Sequence, residues 1–227
     1  NIMNDVILSP SDFAFGFDQC KKCYYDKIVN KVKLNGMFPS VFSKFDRCQK
    51  HYYHNKNSKY LNQDLDDGII NTEKSDFMMV STHLLDNKNR PFILRGKLDA
   101  FIQHKDYVTV VDFKTTDMKI EKSKMYRNQL VSYALMLENP SKGMKLGPVK
   151  KLGLFCFDPV SQLSHAADNA TVKMKTTYID ITRDDKAFYE YITKILDLIH
   201  GITKPESGEK CSTCKFMEQQ NNLRKAS

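Results

Sequence analysis

Apolar residues recur along this chain with a spacing that changes from helical to strand-like and back. Phe13, Phe17 and Cys20 follow Ser9-Pro10-Ser11-Asp12 at helical intervals, and Ser9 or Ser11 can cap the helix start. The helical pattern is expected to run on through residues 20–32. A second helix is predicted over 39–53, with Val41, Phe42, Phe45 and Tyr52 as its apolar side. Residues 54–76 are polar and irregular, which predicts a loop with short strand pieces. Three strand-like runs follow, 77–85, 92–103 and 107–115, separated by the turn-rich segments DNKNR and HKD. Residues 123–138 then form an amphipathic helix, with Leu130, Val131, Ala134 and Leu137 on one side. Residues 151–157 read as a continuous apolar strand and 176–181 as an edge strand. A last helix spans 184–200, with Phe188, Ile192, Ile195, Leu196 and Ile199 facing inward. Helices, a strand meander, helix, two strands and a helix give an α/β or α+β fold with a mixed central sheet flanked by helices.

Composition narrows this picture. The 227 residues suit one domain, and a hydrophobic fraction of 41% with 11% aromatic residues excludes a disordered chain. A formal charge of +8 favours a polyanionic partner, either nucleic acid or an anionic surface. No apolar run approaches the roughly 20 residues that span a bilayer. The segment NIMNDVILSPSDF lacks the basic-then-apolar pattern of a leader, so an intracellular, reducing compartment is expected. The six cysteines are then free or metal-bound rather than paired.

The densest chemistry lies in Gly96-Lys97-Leu98-Asp99-Ala100 followed by Val110-Val111-Asp112-Phe113-Lys114-Thr115. Strand side chains alternate faces, so Asp112 and Lys114 share one face and Phe113 takes the other. If the two runs pair across the HKD turn, Asp99 sits beside Asp112. Two carboxylates and the Phe113 carbonyl between them then offer oxygens to a hard cation. Lys114 is placed to orient a metal-activated water or to stabilise charge on phosphorus. A carboxylate in so apolar a stretch is costly to bury unless it has a task.

This pattern, with Gln129 and Tyr133 on the following helix (N-Q-L-V-S-Y-A), resembles the RecB-like branch of the PD-(D/E)xK nucleases. That branch includes CRISPR-associated RecB-like exonucleases and the nuclease domains of bacterial recombination complexes. The resemblance runs from Ser9 to Cys214 and implies a restriction-endonuclease-like core. It implies that Asp99 and Asp112 bind Mg²⁺ or Mn²⁺, that Lys114 is catalytic, and that Gln129 and Tyr133 brace the site or touch DNA. The branch carries an upstream histidine ligand that does not fall into place here. Asp46 is the candidate replacement, with His51 and His54 as alternatives.

Cys20-Lys-Lys-Cys23 and Cys211-Ser-Thr-Cys214 lie near opposite ends of the chain. Together they offer four soft ligands for tetrahedral Zn²⁺ or an iron–sulfur cluster, joining the two ends of the fold. Relatives place one cysteine near the N-terminus and three near the C-terminus around a 4Fe-4S cluster. The resemblance thus implies that cluster, while the two-and-two arrangement keeps Zn²⁺ open. Cys48 and Cys156 lack partners and read as buried small hydrophobes.

Lys119, Lys122, Lys124 and Arg127 lead into the Gln129 helix, and Lys142, Lys145, Lys150 and Lys151 follow it, which suggests a phosphate-binding rim. Tyr24, Tyr25, Tyr52, Tyr53 and Tyr126 are candidates for stacking on unpaired bases. One nuclease domain over 1–227 is expected, with a helical part (1–60), a catalytic core (77–200) and a cysteine-bearing tail (201–227). The expected activity is metal-dependent cleavage of DNA, single-stranded or at ends, in repair, recombination or phage- or CRISPR-type processing. A protein partner within a larger DNA-processing complex fits that role, and a membrane partner does not. The alternatives are a non-catalytic DNA-binding accessory module and an RNA endonuclease of the same fold.

Overall fold

A computed structural model describes residues 5–32, 39–73, 78–117 and 119–226. At its centre runs β7 (Val108–Thr115), whose first six residues are all buried because both faces of the strand are covered. Val108 and Val110 enter one apolar cluster and Val111 and Phe113 another. β7 pairs antiparallel with β6 (Ala100–Gln103) and parallel with β9 (Val149–Ala166). β2 (Ile69–Asn71) and β10 (Asn169–Ile181) complete a mixed sheet in the order β10-β9-β7-β6-β2. A second sheet holds β1 (Ile7–Leu8), β5 (Pro91–Gly96), β3 (Met79–Ser81) and β8 (Pro140–Lys142), with β4 (Leu84–Leu85) also paired to β5.

α4 (Arg127–Glu138) lies between the sheets, touching β3, β5 and β8 of one and β7 and β9 of the other. Every residue from Gln129 to Leu137 is buried, so the helix expected to be amphipathic is instead covered all round. α5 (Asp185–Ile199) turns Phe188, Ile192, Ile195 and Leu196 inward as predicted, and Asp184 caps it by accepting the Ala187 N–H at 2.9 Å. α1 (Lys21–Ile28) ends four residues short of the predicted boundary at 32, and the helical turn before it (Phe13–Phe17) buries Phe13, Ala14 and Phe17.

Several expectations are corrected. The run 92–103 is two strands, because residues 97–99 carry the chain from one sheet to the other. The helix predicted over 123–138 is broken: α3 (Ile120–Ser123) and a tight turn precede α4. α2 (Ser40–Tyr53) has nearly the expected bounds but a different inner face: of the predicted residues Phe45 packs on the core while Val41, Phe42 and Tyr52 are exposed, and Gln49 and Tyr53 are buried. The Tyr53 ring packs among Phe113, Phe155 and Phe157 on the sheet face away from α4. The strands at 151–157 and 176–181 are the bases of β9 and β10, which continue as a hairpin whose described side chains are exposed from Gln162 to Lys173. A C-terminal helix, α6 (Ser212–Ala226), was not legible in the apolar pattern. Residues 74–77, the end of the expected loop and the start of the expected strand, lie outside the described residues.

Candidate active site

β7 sends Asp112 and Lys114 toward α4 and Phe113 away from it. β6 pairs Ala100 with Val111, so Asp99, one residue before the strand, comes level with Asp112. Asp99 Oδ2 accepts the Phe113 N–H at 3.0 Å, which pins this carboxylate to the β7 backbone. Asp112 is 2% exposed, and Lys114 Nζ lies 2.5 Å from its Oδ2. The Lys114 ammonium also sits 4.8 Å from the centre of the Tyr126 ring. From α4, Gln129 Nε2 donates to the Tyr133 hydroxyl at 3.0 Å and lies 3.5 Å from Asp112 Oδ1. Both residues are buried.

α2 adds a group that sequence reasoning did not single out. Lys50 Nζ lies 3.0 Å from Asp46 Oδ2 and 3.3 Å from Asp99 Oδ1, so it draws Asp46 into the same network. The signal available in the sequence was the Asp46–Lys50 spacing, one helical turn apart. His51 is exposed, and His54 is engaged elsewhere, with Nδ1 accepting the Thr72 N–H at 3.3 Å and Nε2 3.4 Å from Glu73 Oε1. Both histidines line a surface cavity of about 390 Å³ that also borders Lys50.

Burial and the Asp112 charge push the Asp99 carboxyl up to about 6, against the opposing pull of Lys50, Lys114 and the Phe113 N–H. Burial lowers the Lys114 pKa, but Asp112 and Asp99 outweigh it and hold the ammonium above its ordinary range. Lys50 behaves likewise between Asp99 and Asp46. Two facing carboxylates neutralised by two lysines form an all-oxygen donor set, which fits a hard divalent cation and not a soft one.

The rim is smaller than expected. Lys119, Lys122 and Lys124 are exposed between β7 and α4, while Arg127 is partly covered and lies 3.9 Å from Asp184. Lys151 pairs with Thr109 and bonds Asp66 at 2.7 Å, so it and Lys150 lie toward the far end of β7, roughly 16 Å of strand from Lys114. Lys142 belongs to the second sheet, opposite Val80, and Lys145 is exposed beyond it. Tyr24, Tyr53 and Tyr126 are core residues and present no face to a base; Tyr25 is partly buried and Tyr52 is exposed. Cys156 is buried as expected, whereas Cys48 is exposed on α2.

The other four cysteines converge. Cys23 Sγ lies 3.6 Å from both Cys211 Sγ and Cys214 Sγ, and Cys20 Sγ lies 3.6 Å from Cys214 Sγ. All four sulfurs fall within 4.8 Å of one another. Cys20 Sγ also accepts the backbone N–H groups of Cys23 at 3.4 Å and Gly208 at 3.2 Å.

The family model of the PD-(D/E)XK nuclease superfamily matches residues 49–219, a span that contains the Asp99, Asp112, Lys114, Gln129 and Tyr133 cluster. The chain belongs to this superfamily, whose members are nucleases that use divalent metal ions. The crystal structure of SSO0001 aligns with 90% of this chain and 81% of its own at 13% identity, with a TM-score of 0.49. No curated protein matches in sequence. Among the described residues, no helix is long and apolar enough to cross a membrane.

Proposed function

We propose that this chain is a divalent-metal-dependent deoxyribonuclease of the RecB-like branch, similar to the CRISPR-associated RecB-like exonucleases, with residues 1–227 forming a single nuclease domain. The observation that carries this reading is the meeting of Asp99 and Asp112 across neighbouring strands, with Lys114 held 2.5 Å from Asp112. Asp99, Asp112 and the Phe113 carbonyl, with Asp46 as a third carboxylate, would hold Mg²⁺ or Mn²⁺. When bound, such an ion supplies a Lewis acid for the phosphate and lowers the pKa of a bound water.

The remaining roles belong to side chains. Lys114 holds the attacking water or offsets the negative charge that builds on phosphorus. Gln129, braced by Tyr133, fixes Asp112 so that one oxygen faces Lys114. Lys50 offsets the negative charge of Asp46 and Asp99 and keeps the two within reach of each other. The substrate is single-stranded DNA or DNA ends, whose phosphates Lys119, Lys122, Lys124 and Arg127 contact without reading sequence. Such an enzyme works inside the cell, in repair, recombination or phage- or CRISPR-type processing, alongside a protein partner.

The test is cleavage of labelled single- and double-stranded DNA and matched RNA with Mn²⁺, Mg²⁺ or EDTA, wild type beside Lys114→Ala. The expected result is metal-dependent DNA products that fall by on the order of 100-fold or more in the folded variant. Full activity in the variant overturns the role of Lys114. DNA binding without products under any metal favours a binding module, and preferential RNA cleavage an RNA endonuclease.

A further inference from the structure

From the spacing of the four sulfurs, we infer that Cys20, Cys23, Cys211 and Cys214 bind one tetrahedral Zn²⁺, rather than the 4Fe-4S cluster that family resemblance implies. A single zinc with Zn–S bonds of about 2.3 Å separates its thiolates by about 3.8 Å, the edge of the tetrahedron. A cubane cluster spreads its four thiolates roughly 6 Å apart, because each binds a different iron. Here three sulfur pairs stand at 3.6 Å and every pair is within 4.8 Å. That spacing matches one ion and falls well short of the separation a cluster requires.

The surrounding backbone is built for that arrangement. Cys20 caps α1, so the Cys23 N–H reaches its sulfur at the helix start. The tail crosses this point so closely that a Cβ on Gly208 would lie 2.1 Å from the Gln19 carbonyl oxygen; glycine there lets the Gly208 N–H reach the Cys20 sulfur. The Lys22 N–H donates to the Glu206 carbonyl at 3.0 Å, and the Cys211 N–H to Gly208 at 3.0 Å, locking the two C-x2-C segments face to face. Donors aimed at a sulfur stabilise its thiolate, the form that binds metal.

The ion has a structural task independent of nucleolysis. No described residue of α6 is buried, so this helix has no apolar anchor on the rest of the molecule. Four protein thiolates leave no open coordination position, the mark of a structural site. Zinc therefore fastens the C-terminal tail to α1, and that attachment is lost with the metal.

The test uses the full chain, expressed with both iron and zinc in the medium and purified without oxygen. The expected protein is colourless, holds about one zinc per chain and no acid-labile sulfide, and takes up cobalt with the visible bands of a tetrahedral thiolate site. Cys23→Ser and Cys211→Ser lose the zinc, whereas Cys48→Ser keeps it. Treating the wild type with a mercurial and chelator releases the ion and exposes residues 201–226 to protease while the core resists. Iron with stoichiometric sulfide and a brown colour overturns the inference, and so does wild-type protein that holds neither metal. Should the serine variants fail to fold, metal and sulfide analysis of the wild type still decides.

Discussion

Asp99 is poised between two pressures at neutral pH. Burial and the neighbouring Asp112 raise its carboxyl to about 6, while Lys50, Lys114 and a backbone N–H resist. If Asp99 is a metal ligand as proposed, a proton and a divalent cation compete for its oxygens, so acid works against metal binding. The upward shift sets where the change falls: above pH 6 the carboxylate is free, and below it the proton wins. Mn²⁺ affinity, measured by calorimetry, should fall about tenfold per pH unit below 6 and level off above it. An affinity that stays flat down to pH 5 would remove Asp99 from the ligand set. These carboxylates were legible in the sequence because strand alternation is local and the HKD turn brings β6 and β7 together. Lys50 was not, because its partner Asp99 lies far along the chain and only the docking of α2 brings them together. Burial of a lone cysteine depends on the same docking, and Cys48 turned out to be exposed.

Secondary structure was legible where one element decides its own burial. α5 shows its inner face in the sequence because a single stripe meets the core. α2 shows it only in part, because it docks through Phe45, Gln49 and Tyr53 and leaves three apolar side chains exposed. The break between β5 and β6 left no trace, since the apolar run continues while the chain changes sheets. α6 lacks an apolar stripe altogether, having no core to face. At the junction of α4, β9 and α5, Arg183 donates to both oxygens of Glu138 at 2.8 Å, to Asp185 at 2.7 Å and to the Val149 carbonyl at 2.6 Å. The guanidinium is partly buried, and its bidentate geometry makes it stronger than a surface pair. Arg183→Met should cost about 2 kcal/mol in urea unfolding, less than a fully buried pair because water still reaches it. A change within experimental error would show that the three elements are held by packing alone.

Across the whole molecule, the charge of +8 matters mainly through its distribution. Of the lysines considered as a rim, only Lys119, Lys122 and Lys124 are exposed on the segment that runs from β7 into α4; Lys142 lies in the second sheet, Lys145 beyond it, and Lys150 and Lys151 toward the far end of β7. If these three contact phosphates, each alanine replacement should lower the log–log salt slope of single-strand binding by about 0.7. Fluorescence anisotropy across a salt series on the Lys114→Ala background measures this without cleavage. Matching replacements at Lys150 and Lys151 should leave the slope unchanged. An equal effect from both sets would mean that the strand does not pass over the Asp99–Asp112 end in particular.

Enclosure of α4 between two sheets has a consequence for motion. The helix that carries Gln129 and Tyr133 cannot open without separating the layers on both sides of it. Its amides should therefore exchange with deuterium only through unfolding of the whole molecule, as slowly as those of β7. If the four cysteines hold a metal as inferred, the amides of α6 should exchange orders of magnitude faster once that metal is removed. One edge of this protein can thus fray while the residues around Asp112 keep their places.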